Sequence, residues 1–144
     1  MINIGSKQLK GISVGNRAVK EVYKGSQKIW SSASWKTIYS GSIDNSTWNY
    51  NFIEGNLYRI TFTAYGTTNV PNPWEFEGAS YGREYTATNS GRDGIGNKYS
   101  VSGKLILNPT NITTTRNSTY GYTAEGNQYT IYGGFIVTKV EEFS

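Results

Sequence analysis

The stretch LYRITFTAY, at residues 57–65, alternates apolar and polar side chains from end to end. Successive side chains of an extended strand point to opposite faces, so the apolar ones here share a single face. They are Tyr58, Ile60, Phe62 and Ala64. The polar residues Arg59, Thr61 and Thr63 share the other face. This pattern is typical of an antiparallel sheet with one face against a core and the other in water.

A second alternating run precedes this strand, and a short glycine turn joins the two. Its apolar members are Trp48, Tyr50 and Phe52, with asparagines between them. The run predicts a strand with one aromatic face. Residues 54–56, EGN, are typical turn residues, so we expect the two runs to form a β-hairpin.

Further strands are predicted on the C-terminal side. Residues 99–107 place their odd-numbered members, from Tyr99 to Leu107, on one face. In the closing stretch, residues 128–140, Gly133 and Gly134 predict a bulge or bend. Strict alternation there sets one group of side chains, Phe135, Val137 and Lys139, opposite another, Ile136, Thr138 and Val140.

The overall pattern predicts an all-β protein. Residues 66–96 are dense in turn signals, namely PNP at 71–73, Gly78 and SGRDG at 90–94, and we expect short strands near Glu75 and at residues 83–88. No amphipathic helix of useful length is visible. Many short strands joined by Gly, Asn and Pro turns predict an antiparallel β-sandwich of jelly-roll type for residues 35–144. The strand pattern alone does not select a jelly roll over an immunoglobulin-like sandwich.

The N-terminal part predicts a small separate module. Residues 12–30, ISVGNRAVKEVYKGSQKIW, contain short apolar runs separated by two glycine-bearing turns. They predict a β-meander of three short strands within a module of residues 1–31. Residues 31–34, SSAS, are small and polar, as at a boundary between units. So few apolar side chains cannot hold a sheet alone, so the module needs a further packing partner.

This N-terminal pattern resembles a known type of attachment module. ISVGNRAV followed by VYKGSQKIW is similar to a segment near the start of tail, baseplate or fibre proteins of bacteriophages and prophages of Gram-positive bacteria. The resemblance covers about a fifth of the chain. It implies a virion protein that binds other virion proteins, often as an oligomer, with a homotrimer favoured. The implied attachment or oligomer residues are Ile12, Val14, Val19, Val22, Tyr23, Ile29 and Trp30.

Composition excludes several kinds of chemistry. The chain has no Cys and no His, which removes disulfides, Cys nucleophiles and the commonest metal ligand and general base. No apolar run is long enough to span a bilayer, so we expect no membrane partner. The first residues do not form a signal peptide, so we expect synthesis in a cytoplasm. The resemblance implies that this is the cytoplasm of a bacterial host and that the final location is the virion.

The excess of positive charge is concentrated in residues 1–36. Residues 1–36 contain seven basic residues and one acidic residue, whereas the remainder contains seven basic and nine acidic residues. A basic leader could dock on an acidic surface or on nucleic acid. However, the basic residues occur singly between apolar ones, with no nucleic-acid-binding motif. We therefore expect a solvated strand face with lysines guarding exposed edges, and no nucleic-acid partner.

The best candidate pair of catalytic carboxylates is Glu75 and Glu77. In a strand they share one face roughly 7 Å apart, a separation compatible with glycoside hydrolysis. The alternative is two solvated glutamates on an edge strand with Trp74 and Phe76 packed inward, and we favour it because no supporting motif is present. Asp93 alone cannot build a calcium site. We expect no enzymatic activity, no cofactor and no metal.

The aromatic residues predict saccharide binding, because sugar rings stack on aromatic faces. The most plausible cluster contains Trp74, Tyr81, Arg83, Tyr85 and Arg92, and Tyr120 and Tyr122 form a second candidate. Core packing or a subunit interface is the alternative role for these rings. Combined with the virion role that the resemblance of residues 12–30 implies, this gives the expectation of a receptor-binding, baseplate or fibre protein that contacts a cell-wall polysaccharide. The alternative is a purely structural head or tail decoration protein with no host ligand.

Overall fold

The structure, a computed structural model, describes the backbone of residues 33–144 and of the shorter ranges 3–4, 7–8, 12–14, 17–19 and 21–31. Side chains are described for residues 23–27 and 33–144. The chain divides into two compact units. The N-terminal unit is Met1–Lys36 with Phe143–Ser144, and the main unit is Thr37–Glu142. None of the described residues forms a helix long and apolar enough to cross a membrane.

The N-terminal unit contains short antiparallel hairpins. Its strands are β1 (Asn3–Ile4), β2 (Lys7–Gln8), β3 (Ile12–Val14), β4 (Arg17–Val19), β5 (Glu21–Lys24) and β6 (Gln27–Ser31). They pair two by two, β1 with β2, β3 with β4 and β5 with β6. The predicted three-stranded meander is therefore wrong for the described residues. The predicted middle strand is divided, since Val19 pairs with Ile12 whereas Val22 pairs with Trp30.

Ser34, at the end of the predicted boundary of residues 31–34, is bonded to another part of the chain. Ser34 and Ser144 exchange two backbone hydrogen bonds of 3.1 Å each, and the rings of Trp35 and Phe143 are 5.2 Å apart. Residues 143 and 144 therefore contact Trp35 and Ser34. Most predicted attachment residues have side chains outside the described part, namely Ile12, Val14, Val19, Val22, Ile29 and Trp30, whereas Tyr23 is 53% exposed.

Two antiparallel sheets build the main unit. The first contains β7 (Trp35–Asp44), β9 (Leu57–Tyr65), β10 (Trp74–Glu77), β14 (Arg116–Tyr122) and β15 (Gln128–Phe143). Its order is β10-β9-β15-β14, and β7 also pairs with β15. The second contains β8 (Thr47–Asn49), β11 (Arg83–Arg92), β12 (Lys98–Asn108) and β13 (Asn111–Thr114). Its order is β11-β12-β13-β8.

The hydrophobic core contains the inward faces of both sheets, as in a β-sandwich. The first sheet contributes Tyr58, Ile60, Phe62, Phe135, Val137 and Val140, and the second contributes Ala87, Leu105, Leu107 and Ile112. The alternation predicted for residues 57–65 and 99–107 is confirmed, because Tyr58 and Leu105 are fully buried while their chain neighbours are not. Burial of such large side chains contributes about 1.5–3 kcal/mol each.

The hairpin predicted between residues 48–52 and 57–65 is wrong. β8 pairs with β13, and both edges of β9 are occupied, by β10 and β15. Beyond β8, the amides of Tyr50 and Phe52 donate hydrogen bonds of 3.0 and 2.8 Å to Thr110 O and Pro109 O. The aromatic run therefore lies along the turn between β12 and β13.

The irregularity in β15 lies elsewhere than predicted. The register of β15 on β9 shifts between Val137 and Lys139, so Thr138 is an extra residue. The shift reverses the alternation, and Val140 joins Phe135 and Val137 in the core. The predicted grouping of Val140 with Ile136 is therefore wrong, because one bulged residue moves all later side chains to the other face.

At Gly103 of β12 the backbones of the two sheets come into direct contact. A Cβ atom on Gly103 would lie 2.6 Å from Gly134 Cα and 2.7 Å from Gly133 O in β15. It would also lie 2.2 Å from Thr115 O, which accepts backbone hydrogen bonds from Lys104 and Phe135. Only glycine fits at this junction.

The ion pairs of the buried carboxylate of Glu141 make stability depend on pH. Arg59 Nε donates to Glu141 Oε2 at 2.8 Å, and Lys139 Nζ lies 3.1 Å from Glu141 Oε1. The hydrogen bond from Arg59, assisted by Lys139 and opposed by burial, holds the pKa of Glu141 below its ordinary value of 4.5. The ionised carboxylate therefore stabilises the fold above about pH 4.5, and this contribution is lost as pH falls through the lowered pKa.

We expect Glu141→Gln to reduce the free energy of unfolding at pH 7 by about 1–2 kcal/mol. Between pH 7 and pH 3 the variant should lose less stability than the wild type, which urea denaturation at both pH values measures. Glu75→Gln is the matched control, because Glu75 is 53% exposed and 4.0 Å from Arg59, so its effect should stay below about 0.5 kcal/mol. Equal losses in wild type and Glu141→Gln would contradict the prediction.

Candidate functional site

The predicted saccharide-binding cluster is divided between opposite ends of one strand. β11 begins at Arg83 and ends at Arg92, so these residues lie about 30 Å apart along the strand. Arg92 therefore does not lie with Tyr81 and Arg83, and we do not retain the first cluster as one site.

Trp74 belongs to the core. Its side chain is only 7% exposed, and its ring lies 4.8 Å from both Phe76 and the half-buried Tyr85. Strand alternation in β10 explains this, because Trp74 and Phe76 face inward while Glu75 and Glu77 face solvent. The indole is thus covered by protein, and the two glutamates occupy an exposed edge strand, as the favoured alternative predicted.

Tyr81 and Arg83 form a cation–π pair near the start of β11, next to a small cavity. Tyr81 is 64% exposed, and Arg83 Cζ lies 5.4 Å from its ring centroid while Arg83 Nη2 donates to Glu77 O at 3.1 Å. The cavity beside them has a volume of about 10 Å³. That is the space of one water molecule, too small for a sugar ring.

Tyr120 and Tyr122 lie on a tyrosine-rich face of the five-stranded sheet. In the register of β14 on β15, Ser118 pairs with Tyr132 and Tyr120 pairs with Thr130. These residues share one side with Tyr122, because they occupy alternate positions. Tyr120 is 65% exposed, and the others are partly or fully accessible.

Arg116 organises the rest of this face. Its guanidinium carbon lies 4.4 Å from the ring centroid of Tyr132 and 5.2 Å from that of Tyr65, within cation–π distance. Gly134 of β15 pairs with both Arg116 and Tyr65, which places these two residues on either side of the same β15 position. The two tyrosine rings are 5.7 Å apart in an edge-to-face arrangement.

An ion pair fixes the position of Arg116. Its Nε and Nη2 donate to the two carboxylate oxygens of Asp44 at 3.1 and 2.8 Å, a bidentate geometry. The hydrogen bond to Asp44, together with its charge, raises the pKa of Arg116 against the effect of burial. The guanidinium is therefore held rigidly between two rings. We call the set Tyr65, Arg116, Tyr120, Tyr122 and Tyr132 the tyrosine face.

Sequence reasoning predicted two members of this face and missed three. Tyr120 and Tyr122 are two residues apart on β14, whereas Arg116 lies at the start of β14 and meets Tyr65 of β9 and Tyr132 of β15 only in the paired sheet. The face offers aromatic rings beside hydroxyl and amide groups, including Thr130 and Gln128. That combination suits a polyol, because the rings stack on its apolar faces while polar groups fix its orientation.

A group of four exposed polar side chains lies where β11 ends and β12 begins. Arg92 pairs with Lys98 across the hairpin and Ser90 pairs with Ser100, around an open groove of about 550 Å³. Ala87 and Val101 point into the core from the same two strands, so alternation places these four side chains on the outer face of the second sheet. We call the four residues the Arg92–Lys98 corner.

The turn beside this corner is closed by Asp93. Its carboxylate accepts hydrogen bonds from Asn97 N at 2.8 Å, Ile95 N at 3.2 Å, Asn97 Nδ2 at 3.2 Å and Tyr122 N at 3.1 Å. Although burial opposes ionisation, these donors hold the pKa of Asp93 below its ordinary range. Asp93 thus acts as the acceptor that organises residues 93–97 rather than as a calcium ligand. Among the described residues no group of three acidic side chains could hold a metal ion.

No protein-family model matches the chain, and no curated protein or solved structure matches it.

Proposed function

We propose that this chain is a bacteriophage virion component, a receptor-binding, baseplate or fibre protein, that binds host cell-wall saccharide through the tyrosine face. The carrying observation is Tyr120, a 65%-exposed ring on the same face as the cluster of Arg116, Tyr65 and Tyr132 and two strand positions from the pair of Ser118 and Tyr132. A preorganised aromatic surface binds without first losing side-chain entropy. The role is non-catalytic, since the candidate carboxylates Glu75 and Glu77 lie apart from this face on an edge strand.

The likeness of residues 12–30 to phage attachment modules supports the virion part of the proposal. The N-terminal unit then attaches the protein to other virion proteins, as a homotrimer, and the main unit faces the cell wall. A jelly-roll sandwich also forms part of the proposal. In its favour, β11, β12 and β13 follow each other in the second sheet and β8 lies beside β13, a Greek-key order.

We expect the fluorescently labelled protein to bind purified Gram-positive cell walls saturably and to lose binding when wall polysaccharides are stripped. Tyr120→Ala should weaken this binding about tenfold, because exposed aromatic anchors carry much of the energy of such contacts. The fold should be unaffected, since the ring is largely in solvent.

Tyr81→Ala is the matched control, because Tyr81 is equally exposed, at 64%, and lies outside the tyrosine face. It should bind walls like the wild type. Equal weakening by both substitutions would contradict the proposed site. Absence of wall binding by a folded wild-type sample would favour the structural decoration protein instead.

A further inference from the structure

Two cations face each other without a carboxylate in the Arg92–Lys98 corner. Their directly opposed Cβ atoms lie about 5 Å apart in an antiparallel pair, and like charges in that position destabilise a sheet. Neither side chain forms an ion pair within the described part of the chain. Lys104 on the same strand is paired with Glu84 at 2.7 Å, which shows that this sheet face can accommodate a compensating carboxylate.

The nearest carboxylate along the chain does not compensate these charges. Asp93 directs both oxygens into the turn and the end of β14, where four donors occupy them. Arg92 Nη1 donates to Gly96 O at 2.9 Å, which holds the guanidinium at the turn. The remaining N–H groups of Arg92 and the ammonium of Lys98 are exposed at the groove.

Two hydroxyls complete the corner. Ser90 and Ser100 form the next pair on the same face, about 7 Å along the strands from Arg92 and Lys98. A guanidinium, an ammonium and two hydroxyls together match an oxyanion attached to a polyol. The guanidinium can bind two oxygens at once, the ammonium neutralises charge, and the hydroxyls hydrogen-bond neighbouring groups.

We propose that the Arg92–Lys98 corner is a second binding site, specific for the phosphate or carboxylate group of an anionic saccharide polymer. The bound oxyanion lies between the two cations and removes their mutual repulsion. The corner is on the outer face of the four-stranded sheet, whereas the tyrosine face belongs to the five-stranded sheet. The two sites therefore use different side chains, and the titration below tests this one without reference to cell-wall binding.

The test is a titration of the full-length ¹⁵N-labelled protein at low ionic strength, followed by amide chemical shifts. The probes are glycerol 1-phosphate, glucuronate and neutral glucose. We expect saturable shifts of residues 90–100 with at least one anionic probe and none with glucose. Arg92→Gln/Lys98→Gln should bind at least about tenfold more weakly, because both charge-assisted contacts are lost.

Lys104→Gln is the control, since it removes one cation from the same strand outside the corner. It should leave the affinity unchanged. A response to glycerol 1-phosphate alone assigns the site to phosphate-bearing polymers, and a response to glucuronate alone assigns it to uronic acids. Equal binding of glucose, or undiminished binding by a double variant whose spectrum shows an intact fold, would overturn the proposal.

Discussion

Gly103→Ala is expected to lower the free energy of unfolding by about 3 kcal/mol or more, enough to unfold a large part of a marginally stable domain. The added methyl group would meet the backbone of Thr115, Gly133 and Gly134 at distances between 2.2 and 2.7 Å. Backbone atoms cannot rotate away, and β12 is paired on both sides, with β11 and β13. Relief requires the two sheets to separate. Urea denaturation followed by tryptophan fluorescence measures the loss.

Gly126→Ala is the informative comparison for Gly103→Ala. Gly126 has φ of +84°, and a Cβ atom added there would meet no neighbour within 4 Å, so it tests backbone strain without steric overlap. Such strain costs about 1 kcal/mol. If Gly103→Ala proved no more destabilising than Gly126→Ala, close contact between the sheet backbones would be excluded.

Tyr58→Ala is expected to destabilise the protein by about 4 kcal/mol, because it removes a fully buried ring and leaves a cavity. The ring lies 4.9 Å from Phe52 and 5.6 Å from Phe76. Its hydroxyl accepts from Ile53 N at 2.9 Å and donates to Glu142 Oε1 at 3.2 Å. Tyr58→Phe keeps the ring and should cost only about 1–2 kcal/mol, which separates packing from hydrogen bonding.

The wild type and Tyr58→Phe should also differ in how their stability changes at alkaline pH. Burial, assisted by the charge of Glu142, raises the pKa of Tyr58 to about 12 from an ordinary value of 10.0. The hydroxyl's contribution is therefore complete below about pH 10 and is lost as pH rises toward about 12. We expect stability to fall more steeply in this range for the wild type than for Tyr58→Phe. Parallel decline of the two proteins in chemical denaturation would contradict the assignment.

The strands could be predicted where the decisive pattern is local. Alternation in residues 57–65 and 99–107 identified two core strands, because the side chains that become buried are the apolar ones at every second position. Strand neighbours could not be predicted in the same way. The hydrogen bond from Tyr50 N to Thr110 O joins residues 60 positions apart, and the extra residue Thr138 leaves no compositional trace.

The candidate sites could likewise be predicted only where their residues lie close together in the sequence. Tyr120 and Tyr122 were identified by their types and spacing, but Arg116 and its flanking rings meet only after three strands have paired. Trp74 was misassigned because an aromatic ring suits a core as well as a sugar, although its alternation with Glu75 indicated the core. The Arg92–Lys98 corner did carry a local signal. The triplets SGR and KYS flank the turn residues 93–97 symmetrically, so hairpin register alone brings the two cations together.

The position of β15 also determines when the protein can fold during its synthesis. β15 pairs with β7, β9 and β14, all of which leave the ribosome before it. Until residues 128–142 have emerged, the first sheet lacks its central strand, and β9 and β14 have unpaired edges beside exposed apolar side chains. Such edges are prone to aggregation, and pairing between distant segments is slow. Nascent chains halted before residue 128 should therefore remain protease-sensitive and depend on chaperones, whereas release of β15 should complete folding in one cooperative step.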